Sequence, residues 1–150
     1  MDLNRAVEGA LSLITAQARL RKVQVVQELA PDLPQVLGNL NQVQQVVVNL
    51  ANNAMDAMNE SGTITVKTER AAGRERSWVL LRVIDTGSGI PPEILPRIFE
   101  PFFTTKPIGK GTGLGLGLVH EIVEKHAGTI EVESRPGRTE FRVKFPIPGA

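Results

Sequence analysis

A two-layer α/β (α+β) sandwich, with three helices laid over one face of a mixed, mainly antiparallel sheet, is the fold this sequence predicts. Three observations predict it. Apolar residues recur at helical spacing in three separate stretches. "GTITVKTE" with "WVLLRVID", and "TIEVES" with "TEFRVKF", read as two hairpins with polar connections. The elements do not alternate strand and helix throughout, as a doubly wound parallel sheet would require.

The first helix covers residues 2–20. Asp2 serves as its cap, and Leu3, Val7, Ala10, Leu11, Ile14 and Ala18 form its apolar face. "KVQVVQE" (22–28) is a short strand closed off by Pro31 and Pro34. A second helix runs from about 40 to 58, with Asn39 as cap. Strands at 62–69 and 78–85 follow, joined by the charged loop "RAAGRERS". Residues 86–112 carry Gly, Pro and Thr with little periodicity, and a loop of that length in a compact domain is usually functional or disordered. A third helix fits 114–127 with Gly128 as its stop. Strands at 129–134 and 139–145 complete the chain; Phe141, Val143 and Phe145 face one way, Glu140, Arg142 and Lys144 the other.

The chain has 150 residues, enough for one domain with a real core. With 41% hydrophobic and 22% charged residues and a net charge of +1, broad electrostatic capture of nucleic acid or anionic membrane is not expected. There is no cysteine, hence no disulfide framework and no thiolate metal site. No apolar run approaches the length of a membrane span, and "MDLNRAVEGA" lacks a signal pattern. A cytoplasmic location is the expectation.

"GKGTGLGLGL" (109–118) has glycine at every second position. Strict alternation suggests a strand, but glycine weakens strands. The Walker form fails because Gly111 follows Lys110 and Thr104 holds the first glycine place. The dinucleotide form G-x-G-x-x-G fails too, since leucine stands at its last position in every frame. The run does precede the third helix, whose first turn offers unpaired N–H groups and a positive dipole end suited to phosphate.

On the second helix Gln42, Asn49, Asn53 and Asp56 share one polar face beside an apolar face of Val43, Val46, Val47, Leu50, Ala54 and Ala57. Asparagine is a mediocre helix former, so Asn49, Asn52 and Asn53 in two turns are either a solvated face or an oxygen-rich stripe for a hard cation such as Mg²⁺. Asp85 ends a strand, with Gly87 and Gly89 beyond it, as an ordinary Asp-Gly turn or as a place where backbone approaches a ligand. Phe99, Phe102 and Phe103 anchor the long loop locally, and Thr104, Thr105 and Lys106 add donors and one positive charge.

Together "NQVQQVVVNLANNAMDAM", "DTGSGI", "IFEPFFTTK" and "GTGLGLGLVHEIVEKHAG" closely resemble the N, G1, F and G2 boxes of sensor histidine kinase catalytic domains. These belong to the superfamily that holds gyrase, MutL and the heat-shock chaperone ATPases. The resemblance runs over essentially the whole chain. It implies a Bergerat fold binding Mg-ATP between the second helix and a lid at about 88–112. It implies Asn53 as the Mg²⁺ ligand with Asn49 as its companion, Asp85 as acceptor of the adenine amino hydrogen, and Gly87 and Gly89 beside the purine. Gly111, Gly113 and Gly115 match phosphate-side glycines, and Thr139 resembles the threonine that supports the acid through water. Nucleotide contacts are further implied for Asp56, Ala57, Ile90, Thr105, Thr112, Leu114 and Leu116, with Lys106 and Lys110 neutralising phosphate charge. Two positions depart from the pattern: Asn39 stands where Asp is frequent, and Gly117 where Ser is frequent.

The resemblance implies a γ-phosphoryl transfer to a histidine on a dimerisation domain of the parent protein, with a response regulator downstream. That acceptor domain is expected to lie outside this chain, with Met1 just after the linker, and the fragment alone is expected to be monomeric. His120 and His126 are read as structural. Where gyrase and chaperone relatives carry a water-activating Glu, Asn49 offers only an amide, no general base near neutral pH; slow hydrolysis is the expectation. Two other readings remain. A free-standing serine kinase of the anti-sigma-factor type would use a Glu in the N box and lack "FFTTK". A non-catalytic interaction module would bind no nucleotide.

Overall fold

The computed structural model describes residues 1–58, 61–73, 77–100 and 115–148. Helix α1 spans Leu3–Leu20, and the Asp2 carboxylate caps it by accepting the Asn4 N–H at 3.0 Å. Strand β1 (Val23–Leu29) leads to α2 (Leu40–Asp56), where the Asn39 side chain accepts the Gln42 N–H at 3.0 Å. Asparagine at this position therefore still caps the helix. Strands β2 (Gly62–Ala72) and β3 (Ser77–Asp85) form one hairpin; β4 (Thr129–Arg135) and β5 (Arg138–Pro146) form the other. A short 3₁₀ turn at Leu95–Arg97 lies between β3 and α3 (Gly115–Lys125).

The strands order as β1-β2-β3-β5-β4. All neighbours are antiparallel except β1 and β2, which run parallel with α2 as their crossover. The mixed sandwich matches expectation, and the position of β1 adds what hairpin spacing could not give. The core lies between the helices and one sheet face. Val43, Val46, Val47 and Leu50 of α2 meet Ile64, Val66, Leu81, Val83, Phe141 and Val143 there, all buried.

Helix α3 ends two residues earlier than the periodicity suggests. The left-handed residue is Ala127 (φ 58°), and Gly128 follows it, its N–H bonding back to the Val123 carbonyl at 3.0 Å. That is a Schellman ending with alanine in the place glycine usually takes. Gly128 is needed for another reason: a Cβ there would stand 2.3 Å from the Lys144 carbonyl oxygen in β5.

On the sheet's other face Glu140 points outward, as the alternation predicts, yet is only 1% exposed. Arg82 and Arg138 each donate to its Oε1, at 2.7 and 2.9 Å, and Arg142 Nε lies 3.4 Å from Oε2. Burial, the largest single influence, would raise the Glu140 pKa. The hydrogen bonds and charges of Arg82 and Arg138 together outweigh it and hold the carboxyl below its usual range.

Candidate functional site

Asp85 closes β3 on the helix-covered face and is 2% exposed. One carboxylate oxygen accepts the Gly87 N–H at 2.8 Å; the other has no partner among the described residues. Burial raises its pKa, and the Gly87 bond only partly counters this. A buried acid with one idle oxygen is expensive to leave unmatched.

The loop after Asp85 leaves no room for a side chain at Gly87 or Gly89. A Cβ on Gly87 would lie 2.8 Å from the Ala57 carbonyl, and Gly89 (φ 87°) would put one 2.6 Å from the Arg135 carbonyl. Ser88 N–H donates to the Ala57 carbonyl at 3.2 Å, and Gly137 N–H to that of Gly87 at 3.0 Å. The loop is thus clamped between the last turn of α2 and the β4–β5 turn. Ile90 is partly buried, and its N–H donates to Ser134 Oγ at 2.7 Å.

Thr139 stands directly across from Asp85 in the β3–β5 pairing and is buried, its hydroxyl 2.7 Å from Ser134 Oγ. Residues directly opposite in an antiparallel pair share a face with Cβ atoms about 5 Å apart. Acid and hydroxyl therefore open onto one place.

On α2, Asn49 accepts from Gln45 Nε2 at 3.2 Å and donates to the Gly115 carbonyl at 3.4 Å, tying α2 to the start of α3. At the far end of the same pair the Asn39 N–H donates to His126 Nε2 at 3.1 Å. His126 also contacts the Ile122 carbonyl through Nδ1 at 2.8 Å, a structural role as read. Asn53, one turn beyond Asn49, is half-buried, and its amide has no partner among the described residues. The Asp56 carboxylate pairs with Arg21 at 2.9 Å, so the helix's polar stripe ends in a tie to α1.

Gly115 opens α3, and Leu116 behind it packs against the core, while Leu118 is 38% exposed. Phe99 packs on the core and faces the His120 ring at a centroid distance of 5.4 Å, in keeping with an anchor for the long loop. Thr105, Lys106, Lys110, Gly111, Thr112, Gly113 and Leu114, with Phe102 and Phe103, lie outside the described residues. No group of three or more His, Cys, Asp or Glu among the described residues could hold a metal ion.

The sequence reading missed Ser134 and Gln45, which position others. Ser134 could have been found: a two-residue connection, Pro136-Gly137, fixes it opposite Thr139.

Residues 38–149 match the family described as "Histidine kinase-, DNA gyrase B-, and HSP90-like ATPase". The chain belongs to that family. Within it, this is an ATPase domain of the sensor-kinase kind. Sensor kinase CckA of Brucella abortus is 45% identical over 127 residues, 77% of this chain and 13% of that protein. The sensory histidine kinase/phosphatase NtrB of Rhodobacter capsulatus is 42% identical over 132 residues, 82% of this chain and 37% of that protein. The domain thus spans well under half of these multi-domain relatives. Among solved structures, the catalytic domain of histidine kinase ThkA superposes with a TM-score of 0.82 at 31% identity, covering 97% of this chain and 94% of that one. Full-length ShkA in complex with AMPPNP gives 0.83 at 26% identity, covering all of this chain and 31% of that one. No helix among the described residues is long and apolar enough to cross a membrane.

Proposed function

We propose that this domain binds Mg-ATP and passes the γ-phosphoryl group to a histidine on a separate acceptor domain of its parent protein, which then serves a response regulator. The observation that carries the reading is the idle oxygen of buried Asp85 beside the Thr139 hydroxyl. An adenine amino group supplies the missing donor. The ShkA relative was solved with an ATP analogue, which agrees with this reading.

Asp85 holds the base, with Gly87, Gly89 and Ile90 shaping the loop beside it and Ala57 closing its inner edge. The triphosphate lies along α2 toward the start of α3, where the amides of Gly111, Gly113 and Gly115 meet it together with Thr105, Thr112, Leu114 and Leu116. Lys106 and Lys110 neutralise charge. Mg²⁺ usually takes one or two protein oxygens plus substrate phosphates, not an all-protein cage. The unpartnered Asn53 amide fits that requirement, and the cation would supply charge neutralisation on the phosphates. Asp56, paired with Arg21, bounds the site.

In the transfer a histidine nitrogen bonds to the γ-phosphorus, the bond to the β–γ bridging oxygen breaks, and ADP leaves. Positioning and electrostatics carry most of the catalysis. Asn49, bound to Gln45 and Gly115, is no base for water. Titration of the chain with an ATP analogue, with and without Mg²⁺, tests the proposal. Asp85→Ala should weaken binding roughly 10- to 100-fold, and Asn53→Ala should remove the Mg²⁺-dependent part alone. Undiminished binding by both variants would refute the assignment.

A further inference from the structure

Ser134, Thr139 and Asp85 stand in one row across three neighbouring strands, on the covered face of the sheet. The Ser134 oxygen accepts the Ile90 N–H at 2.7 Å and lies 2.7 Å from the Thr139 hydroxyl. Thr139 has no other side-chain partner among the described residues. A hydroxyl has one proton to give and two lone pairs. Ile90, a backbone donor, fixes one side of Ser134 as acceptor. Which way the proton runs between the two hydroxyls is settled by what stands beyond Thr139: the Asp85 carboxylate. The negative Asp85 carboxylate across the strand pair favours the orientation in which the Thr139 proton points into the pocket, and Ser134 then supplies the bond between the hydroxyls. The bonds then run in one direction, from Ile90 N–H to Ser134 to Thr139 to the pocket, each strengthening the next.

We propose that Ser134 is a specificity-determining positioning residue, which sets the direction of the Thr139 hydroxyl and so makes the pocket select adenine over guanine nucleotides. The proposal rests on the nucleotide-binding reading above. With the Thr139 proton turned inward, the pocket offers an acceptor, Asp85, beside a donor, Thr139. Adenine's edge carries the complement, the 6-amino donor beside the N1 acceptor. Guanine carries the reverse, an O6 acceptor facing the carboxylate and an N1–H donor facing a donor. Without Ser134 the Thr139 hydroxyl is free to rotate and accept, which removes much of the objection to guanine.

The test is a pair of titrations, Mg-ATP and Mg-GTP, on the unaltered chain and on Ser134→Ala, Ser134→Thr and Thr139→Val. Ser134→Ala should shrink the ATP-over-GTP preference about fivefold to tenfold, and Ser134→Thr, which keeps the oxygen, should restore it. Adding Ser134→Ala to Thr139→Val should change the preference no further, since both act through one proton. A residue that only stiffens the loop would weaken both nucleotides equally; an unchanged ratio in Ser134→Ala overturns the proposal and leaves nucleotide binding standing. Failure of the unaltered chain to bind either nucleotide overturns both. If Ser134→Ala does not fold, Ser134→Cys keeps the shape while weakening the donor, and the same ratio decides.

Discussion

Asp85 and Glu140 are both carboxylates with almost no exposed surface, and they lie on opposite faces of one sheet. Thr139, the residue opposite Asp85, is the chain neighbour of Glu140. Glu140 is surrounded by Arg82, Arg138 and Arg142; among the described residues Asp85 has one backbone N–H. Their pKa values move apart accordingly, Glu140 down and Asp85 up. Burial alone therefore does not mark a functional acid. The contrast in partners separates the two: the fold satisfies Glu140 with arginines and leaves one Asp85 oxygen without a partner among the described residues, which is what the proposed adenine contact would use.

The largest effect expected from breaking this contrast is at Asp85. Asp85→Asn keeps the acceptor for Gly87 and removes the charge. ATP affinity should fall about tenfold or more, while the nucleotide-free melting temperature at neutral pH rises. The sign follows from the raised pKa. The protonated acid contributes its stability fully below the ordinary carboxyl range, and that contribution is lost as pH climbs through the raised value. Melting curves across that window should slope for the parent chain and lie flatter for Asp85→Asn.

Glu140→Gln should do the opposite. It removes the buried charge shared by Arg82, Arg138 and Arg142, leaving Arg82 with Glu69 and Arg142 with Glu133 on the more exposed side, while the buried Nε of Arg82 and of Arg142 has no hydrogen-bond partner. A loss of about 2 kcal/mol, or roughly 4–8 °C in Tm, is expected, the arginines' partial exposure moderating the cost. Nucleotide affinity should stay within about twofold. Because the Glu140 pKa is lowered, its contribution is present above the ordinary carboxyl range and disappears as pH falls through the depressed value. Acid unfolding of Glu140→Gln should lack that component.

A smaller change, away from both acids, serves as the reference. Ala127→Gly relieves a left-handed alanine at the end of α3 and should stabilise by about 1 kcal/mol, roughly 2–4 °C. Neither nucleotide affinity nor the pH slopes should move.

The helices and both hairpins were legible because their periods differ and their turns carry the right residues. Asp85, Asn53 and Thr139 stood out through their motif context; the structure sets acid and hydroxyl opposite one another, and Asn53 has no partner among the described residues. The rest depended on distant contacts. Nothing local says that β1 joins β2 in parallel. Glu140 reads as a solvated residue until strands β3 and β5 bring its arginines together. Gly128 looks like a left-handed stop, whereas the left-handed residue is Ala127 and Gly128 instead lies against the Lys144 carbonyl.

Helix α2 is the crossover between two parallel strands that touch. Its exit is further pinned by the Ser88 and Gly87 contacts at Ala57, and its entry by His126. The amide stripe of α2 is consequently held in place when the chain folds. Whatever α2 binds, the ordering entropy of its helix is spent in folding, and on the proposed reading nucleotide affinity would be spared that penalty.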